Sequence, residues 1–121
     1  MKAPQISSLA ALVLFLVTLP ALAQSIEETF LKGNIAYGNG NFTAAEEAYR
    51  GVLESVQSAE VHYNLGNSRF KQGQLGEAIA SYLRAARIDP RDEATRTNLE
   101  RARAQIKDVD LSGQNLPPVL R

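Results

Sequence analysis

An all-α fold of two helix-turn-helix units and a C-terminal capping helix is what the sequence predicts, and three observations carry it. The first is self-similarity: Gly66-Asn67, Ala78 and Tyr82 echo Gly33-Asn34, Ala45 and Tyr49, each residue 33 positions after its partner. A fixed period of that length marks stacked structural repeats, each too small to bury its apolar face alone. The second is punctuation: Gly38 to Gly40 and Gly73 to Gly76 are short glycine runs where turns between helices are needed, and Pro90 helps end the last helix of the later unit. The third is an incomplete third copy, in which Asn98-Leu99 reproduces Asn64-Leu65 but Glu100 replaces the glycine and Ala102, Ala104 and Ile106 run on without a second helix.

Taken in order, residues 1–23 read as a secretory signal peptide, with Lys2 as a short basic start, an apolar run from Leu9 to Leu19, and Ala21-Leu22-Ala23 before Gln24. Cleavage is expected after Ala23, which makes the chain an exported one. An uncleaved anchor is the weaker reading, because the apolar run is well short of the roughly 20 residues a spanning helix needs. Residues 24–58 form the first unit, in which Gly33, Gly40, Ala45 and Tyr49 keep the pattern while Lys32 stands where the second unit has Leu65. Residues 59–91 form the second and clearer unit. Gly66 and Ala78 are small where its two helices cross, and Tyr82 is expected to fill the space between neighbouring units. Residues 92–107 form the cap, with Arg96, Arg101 and Arg103 on a solvated face. Residues 108–121 are expected to be a flexible tail, since Ser112-Gly113 and Pro117-Pro118 cannot continue a helix. Its Leu111, Leu116, Val119 and Leu120 leave docking on another surface as an alternative.

Composition narrows the function classes. Thirteen basic and thirteen acidic side chains give no net charge, so nothing points to nucleic acid. With no cysteine, neither a disulfide framework nor lipid attachment at a cysteine is available, and stability must come from packing. Chemistry is equally poorly provided for: one histidine, His62, and no carboxylates clustered at ligand spacing argue against an enzyme, a metal site or a cofactor. His62 is expected to pack near the start of a helix. The adjacent pairs Glu27-Glu28 and Glu46-Glu47 are read as complementing the dipoles of helix starts. Acids crowd the front of the chain and arginines the back, which reads as solvated faces or, alternatively, as a polarised docking surface.

With Leu65-Gly66, Gly73, Ala78, Tyr82, Ala85 and Asp89-Pro90 at their offsets, the second unit resembles a tetratricopeptide repeat (TPR). That resemblance implies a right-handed solenoid whose first helices line a concave groove for a peptide or a partner protein. Within the superfamily, Gly33-Asn34 with Tyr37, Glu47-Ala48-Tyr49, Ala59 to Asn67 and Ala86 to Glu100 look like the exported TPR proteins of bacterial aerotolerance (Bat) operons. The resemblance implies a periplasmic protein working beside envelope proteins with von Willebrand A domains, touching the membrane only through a partner or an uncleaved signal. Some such relatives continue into hydrophobic segments and a Src-homology-like module. Against that pattern the chain reads as a short variant or as a fragment of a longer membrane-attached protein.

Helical spacing puts Phe30, Asn34 and Tyr37 of unit one, Tyr63, Asn64, Asn67 and Phe70 of unit two, and Thr97, Asn98 and Arg101 of the cap on the inner side. Asparagines can bond a peptide backbone through both amide groups, and aromatic rings add flat apolar contact. Some members of the superfamily clamp the C-terminal carboxylate of a chaperone with two asparagines and several cations. Asn34 and Asn64 match the asparagines, but Phe30, Ala94 and Asn98 occupy the cationic positions, so that clamp is not expected here. The reading is a non-catalytic adaptor that captures an extended segment, and the alternative is a subunit that self-associates through its end units.

Overall fold

A computed structural model describes the backbone of residues 8–111 and the side chains of residues 21–108. Five α-helices follow one another: α1 (Ser8–Gly38), α2 (Phe42–Leu53), α3 (Ala59–Lys71), α4 (Leu75–Ile88) and α5 (Glu93–Leu111). The described residues contain no strand. Each helix packs on its neighbours in the chain, and α5 also touches α3, which is the arrangement of a short TPR solenoid.

Local chemistry sets the helix ends. After α1, Gly40 takes a positive φ of 77°; its N–H donates to Tyr37 O at 3.0 Å while Asn41 N–H donates to Ala36 O at 2.9 Å. After α3 the same closure recurs 33 residues on, with Gly73 at φ 76°, Gly73 N–H to Phe70 O at 3.0 Å and Gln74 N–H to Arg69 O at 2.9 Å. Only glycine enters that left-handed region without cost, and the paired bonds satisfy the last carbonyls of each helix. Asn41, Ser58 and Asp92 then cap the next starts, their side chains accepting from Ala44, Val61 and Thr95 N–H groups at 3.2, 3.4 and 2.9 Å. α4 stops at Ile88 because the residue before Pro90 is pushed out of the helical region, and Asp89 is extended there at φ −127°.

Within each unit a tyrosine lies flat on a glycine. A Cβ built on Gly33 would sit 2.7 Å from Tyr49 Cε1, and one on Gly66 would sit 2.5 Å from Tyr82 Cε1. Both rings are almost fully buried, and their hydroxyls donate to Asn34 Oδ1 at 2.7 Å and Asn67 Oδ1 at 2.8 Å. Glycine, asparagine and tyrosine therefore recur together because they form one interlock. Tyr82 seats against Gly66 of its own unit and also joins Leu99 and Ala102 of α5 in one buried cluster, so it fills the space between units as expected. Around the interlocks lie two apolar clusters: Ala45, Tyr49, Val52, Val61 and Leu65, and then Ala78, Tyr82, Leu99 and Ala102.

Three expectations are modified. The cap helix runs to Leu111, not Lys107, because no helix-breaking residue occurs before Ser112-Gly113. Helix α1 of the full chain passes unbroken through Ala23-Gln24, so Glu27-Glu28 stands near a helix start only once residues 1–23 are removed. Glu46 is also in use elsewhere, bridged to Arg69 of α3 at 3.0 Å. Residues 1–7 and 112–121, with most of the expected tail, lie outside the described residues. No described helix is long and apolar enough to cross a membrane.

Candidate functional site

The first helices and the cap bring their inner faces to a common depression. Its walls are Tyr37 of α1, Tyr63, Asn67, Phe70 and Lys71 of α3, Tyr82 of α4, and Asn98 and Arg101 of α5, around a volume of about 330 Å³. A smaller depression beside it is lined by Asn34, Tyr37, Tyr49, Asn64 and Asn67. Tyr37 and Asn67 belong to both, so the two are continuous along the inner face. At about 330 Å³ the larger one is at the low end of the roughly 300–1,000 Å³ typical of small-molecule sites, and its residues come from four helices.

Eight of the ten residues that helical spacing assigns to the inner side line one depression or the other; Thr97, exposed on α5, lines neither. Nor does Phe30. It packs on the first apolar cluster, with its ring centroid 5.9 Å from that of Tyr49, so its place on the groove is corrected to a place in the core. Three residues of the two depressions escaped the sequence reading, Lys71, Tyr82 and Tyr49. Lys71 follows Asn64 and Asn67 at positions i+7 and i+4 on α3, a spacing that places it on their face. Tyr82 reaches the groove with its hydroxyl while its ring stays on Gly66.

A hydrogen-bond network forms the groove floor. Tyr82 O–H donates to Asn67 Oδ1, Asn98 Nδ2 donates to the same oxygen at 2.9 Å, and Asn98 Nδ2 also reaches Tyr63 Oη at 3.1 Å. The amide oxygens of Asn34 and Asn67 are thus already engaged by tyrosines, which corrects the picture of fully free asparagines. Their Nδ2 groups remain as donors. Burial is the main cause that raises the tyrosine hydroxyls above their ordinary 10: it pushes Tyr49 up to about 12 and raises Tyr82 and Tyr37 as well. At neutral pH these phenols are donors.

Away from the groove, His62 is buried with Nε2 2.8 Å from Gln57 Oε1, and burial, then the charges of Arg84 and Arg69, hold its imidazole below the usual 6.5. The ring packs near the start of α3, as expected, with one nitrogen bonded to an amide. Among the described residues no group of three or more His, Cys, Asp or Glu side chains could hold a metal ion.

No curated protein matches the chain. The tetratricopeptide repeat family pattern matches residues 30–93, more than half of the sequence and the span that carries both tyrosine interlocks. By that match and by its helical stack, the chain belongs to the tetratricopeptide repeat family, whose members are non-catalytic modules for protein–protein interaction.

Proposed function

We propose that this chain is an adaptor of the bacterial cell envelope that holds an extended segment of a partner protein in the depression between α1, α3 and α5. The observation that carries the reading is convergence: aromatic rings and unspent amide donors from three successive inner helices meet on one continuous surface. Tyr37, Tyr63 and Phe70 offer flat contact with few rotors to freeze, and the Nδ2 groups of Asn34 and Asn67 offer register to peptide carbonyls. The floor network fixes the surface before a ligand arrives, which lowers the entropy cost of capture. The signal-like composition of residues 1–23 supports export to the periplasm. The likeness to Bat-operon proteins supports a partner with a von Willebrand A domain.

The test is capture from an envelope extract by the full chain, an Asn64→Ala, Arg101→Ser double variant, and an α4 control, Leu83→Ser. Asn64 has no side-chain hydrogen bond among the described residues and Arg101 is exposed, so the double variant is expected to fold. A partner held by wild type and control but lost by the double variant supports groove capture. Equal retention by all three overturns it.

One observation favours self-association as a second reading. Leu31 and Ile35, on one outward face of α1, are 51% and 64% exposed at the open front of the stack. If that face pairs with another copy, the mass in light scattering rises with concentration and Ile35→Glu abolishes the rise. A constant monomer mass removes this reading.

A further inference from the structure

The larger depression has an unbalanced chemistry. Lys71 and Arg101 are both on its wall and no Asp or Glu lines it. Among the described residues Arg69, Arg96 and Arg103 are each tied to a glutamate, whereas neither Lys71 nor Arg101 makes an ion pair. The neutral groups lean the same way once the floor bonds are counted. Asn67 Oδ1 already receives two donors, so Asn67 contributes only its Nδ2 hydrogens. Tyr63 Oη accepts from Asn98, leaving its O–H to donate. Asn98 Oδ1 is the one amide acceptor left in the depression. The wall therefore offers two cations and several donors against a single amide oxygen, and apolar contact from Tyr37 and Phe70 lies beside them.

A ligand that complements this surface supplies acceptors and negative charge next to an apolar side chain. We propose that the groove is selective for acidic extended peptide, with an Asp or Glu side-chain carboxylate held by Lys71 and Arg101 and a neighbouring apolar side chain on Tyr37 and Phe70. The inference rests on the groove-capture reading above and adds the ligand's chemistry. It uses different residues from the superfamily's chaperone clamp, whose cationic positions here are Phe30, Ala94 and Asn98. Charge-assisted hydrogen bonds are the strong ones.

Fluorescence anisotropy of the full chain against three pools of short labelled peptides tests it. One pool alternates Asp or Glu with Leu, Phe and Ala and has blocked termini; the second replaces each acid by its amide; the third is the amide pool with a free C-terminal carboxylate. The acidic pool is expected to bind about tenfold or more tightly than the amide pool, with affinity falling as salt rises. Lys71→Gln with Arg101→Gln should bring the acidic pool to the level of the amide pool at an unchanged melting temperature, because both side chains are exposed. Equal binding of the acidic and amide pools overturns the charge selectivity and leaves groove capture standing. Strongest binding of the free-carboxylate pool overturns the side-chain assignment in favour of a chain terminus. Undiminished preference in the double variant places the reader elsewhere, and no binding of any pool removes both this inference and peptide capture.

Discussion

The two places where one unit's second helix meets the next inner helix are built differently. Between α2 and α3 a polar fork is added to the apolar cluster: Glu46 Oε1 accepts from Arg69 Nε at 3.0 Å, Glu46 Oε2 accepts from Gln72 at 2.8 Å, and Arg69 Nη1 goes on to Ser81 of α4 at 2.9 Å. Between α4 and α5, Ile79 stands 33 residues after Glu46 and packs on the cluster containing Leu99 and Ala102. Arg103, 34 residues after Arg69, turns outward to Glu100. Apolar contact at the second junction is tolerant of angle, whereas the Arg69 fork at the first links α2, α3 and α4 in one geometry. The comparison teaches that the repeat fixes the tyrosine interlock inside each unit but leaves the junction free to vary.

The shared interlock should break most severely. Gly66→Leu drives a side chain into the Tyr82 ring and is expected to cost at least the roughly 1–3 kcal/mol of ordinary overpacking, enough to unfold most of a small array at room temperature. Circular dichroism checks it; a melt like wild type would show that the interlock does not hold the unit. Gly33→Leu should do less damage, because unit one is terminal and can open alone.

At the polar junction, Glu46→Ala is expected to cost about 1–3 kcal/mol in urea denaturation, since it leaves the largely sheltered Arg69 with only a longer contact to Glu77 at 3.7 Å and its bond to Ser81. Glu46→Ile with Arg69→Met makes the first junction apolar like the second. That double variant should recover most of the loss, because a sheltered ion pair exchanged for packed apolar groups is often close to neutral. A double variant as weak as the single one would show the fork to be indispensable.

Acid sharpens the same contrast. Burial pushes the Glu46 carboxyl up, but hydrogen bonds from Gln72 and Arg69 and the charges of Arg69 and Arg50 outweigh it and hold the group below its ordinary 4.5. The unfolded chain therefore binds this proton first as pH falls. The contribution is complete above about 4.5 and drains away as pH drops through the folded value. Urea midpoints measured downward from pH 5 should fall for wild type more steeply than for Glu46→Gln. Parallel curves would remove Glu46 as the acid-sensitive group.

A smaller effect is expected of Tyr82→Phe, at about 1 kcal/mol for the lost bond to Asn67. Tyr49→Phe should cost less, since Asn34 is exposed and water can replace the hydroxyl. Thermal melts of the two variants order them.

Much of this fold was legible because a 33-residue period, two left-handed glycines and Pro90 speak through local backbone rules. The end of α5 was not, since Asp108 to Leu111 is weakly helical by composition and only Ser112-Gly113 marks the stop. Of the candidate site, helical spacing found the residues that point inward. It misplaced Phe30 because an aromatic at the edge of an inner face serves groove or core equally well, and the Tyr49 ring decides which. Spacing also could not show that tyrosines 15 residues on would occupy the amide oxygens of Asn34 and Asn67. That pairing is what leaves the groove rich in donors.

The most direct test of groove capture is site-specific photocrosslinking in living cells, with a benzophenone amino acid placed in the full chain at Asn64 on the inner face or at exposed Leu83 on α4. The account predicts a discrete crosslinked partner from position 64 and none from position 83; crosslinks from 83 alone would contradict it and move the function off the inner face.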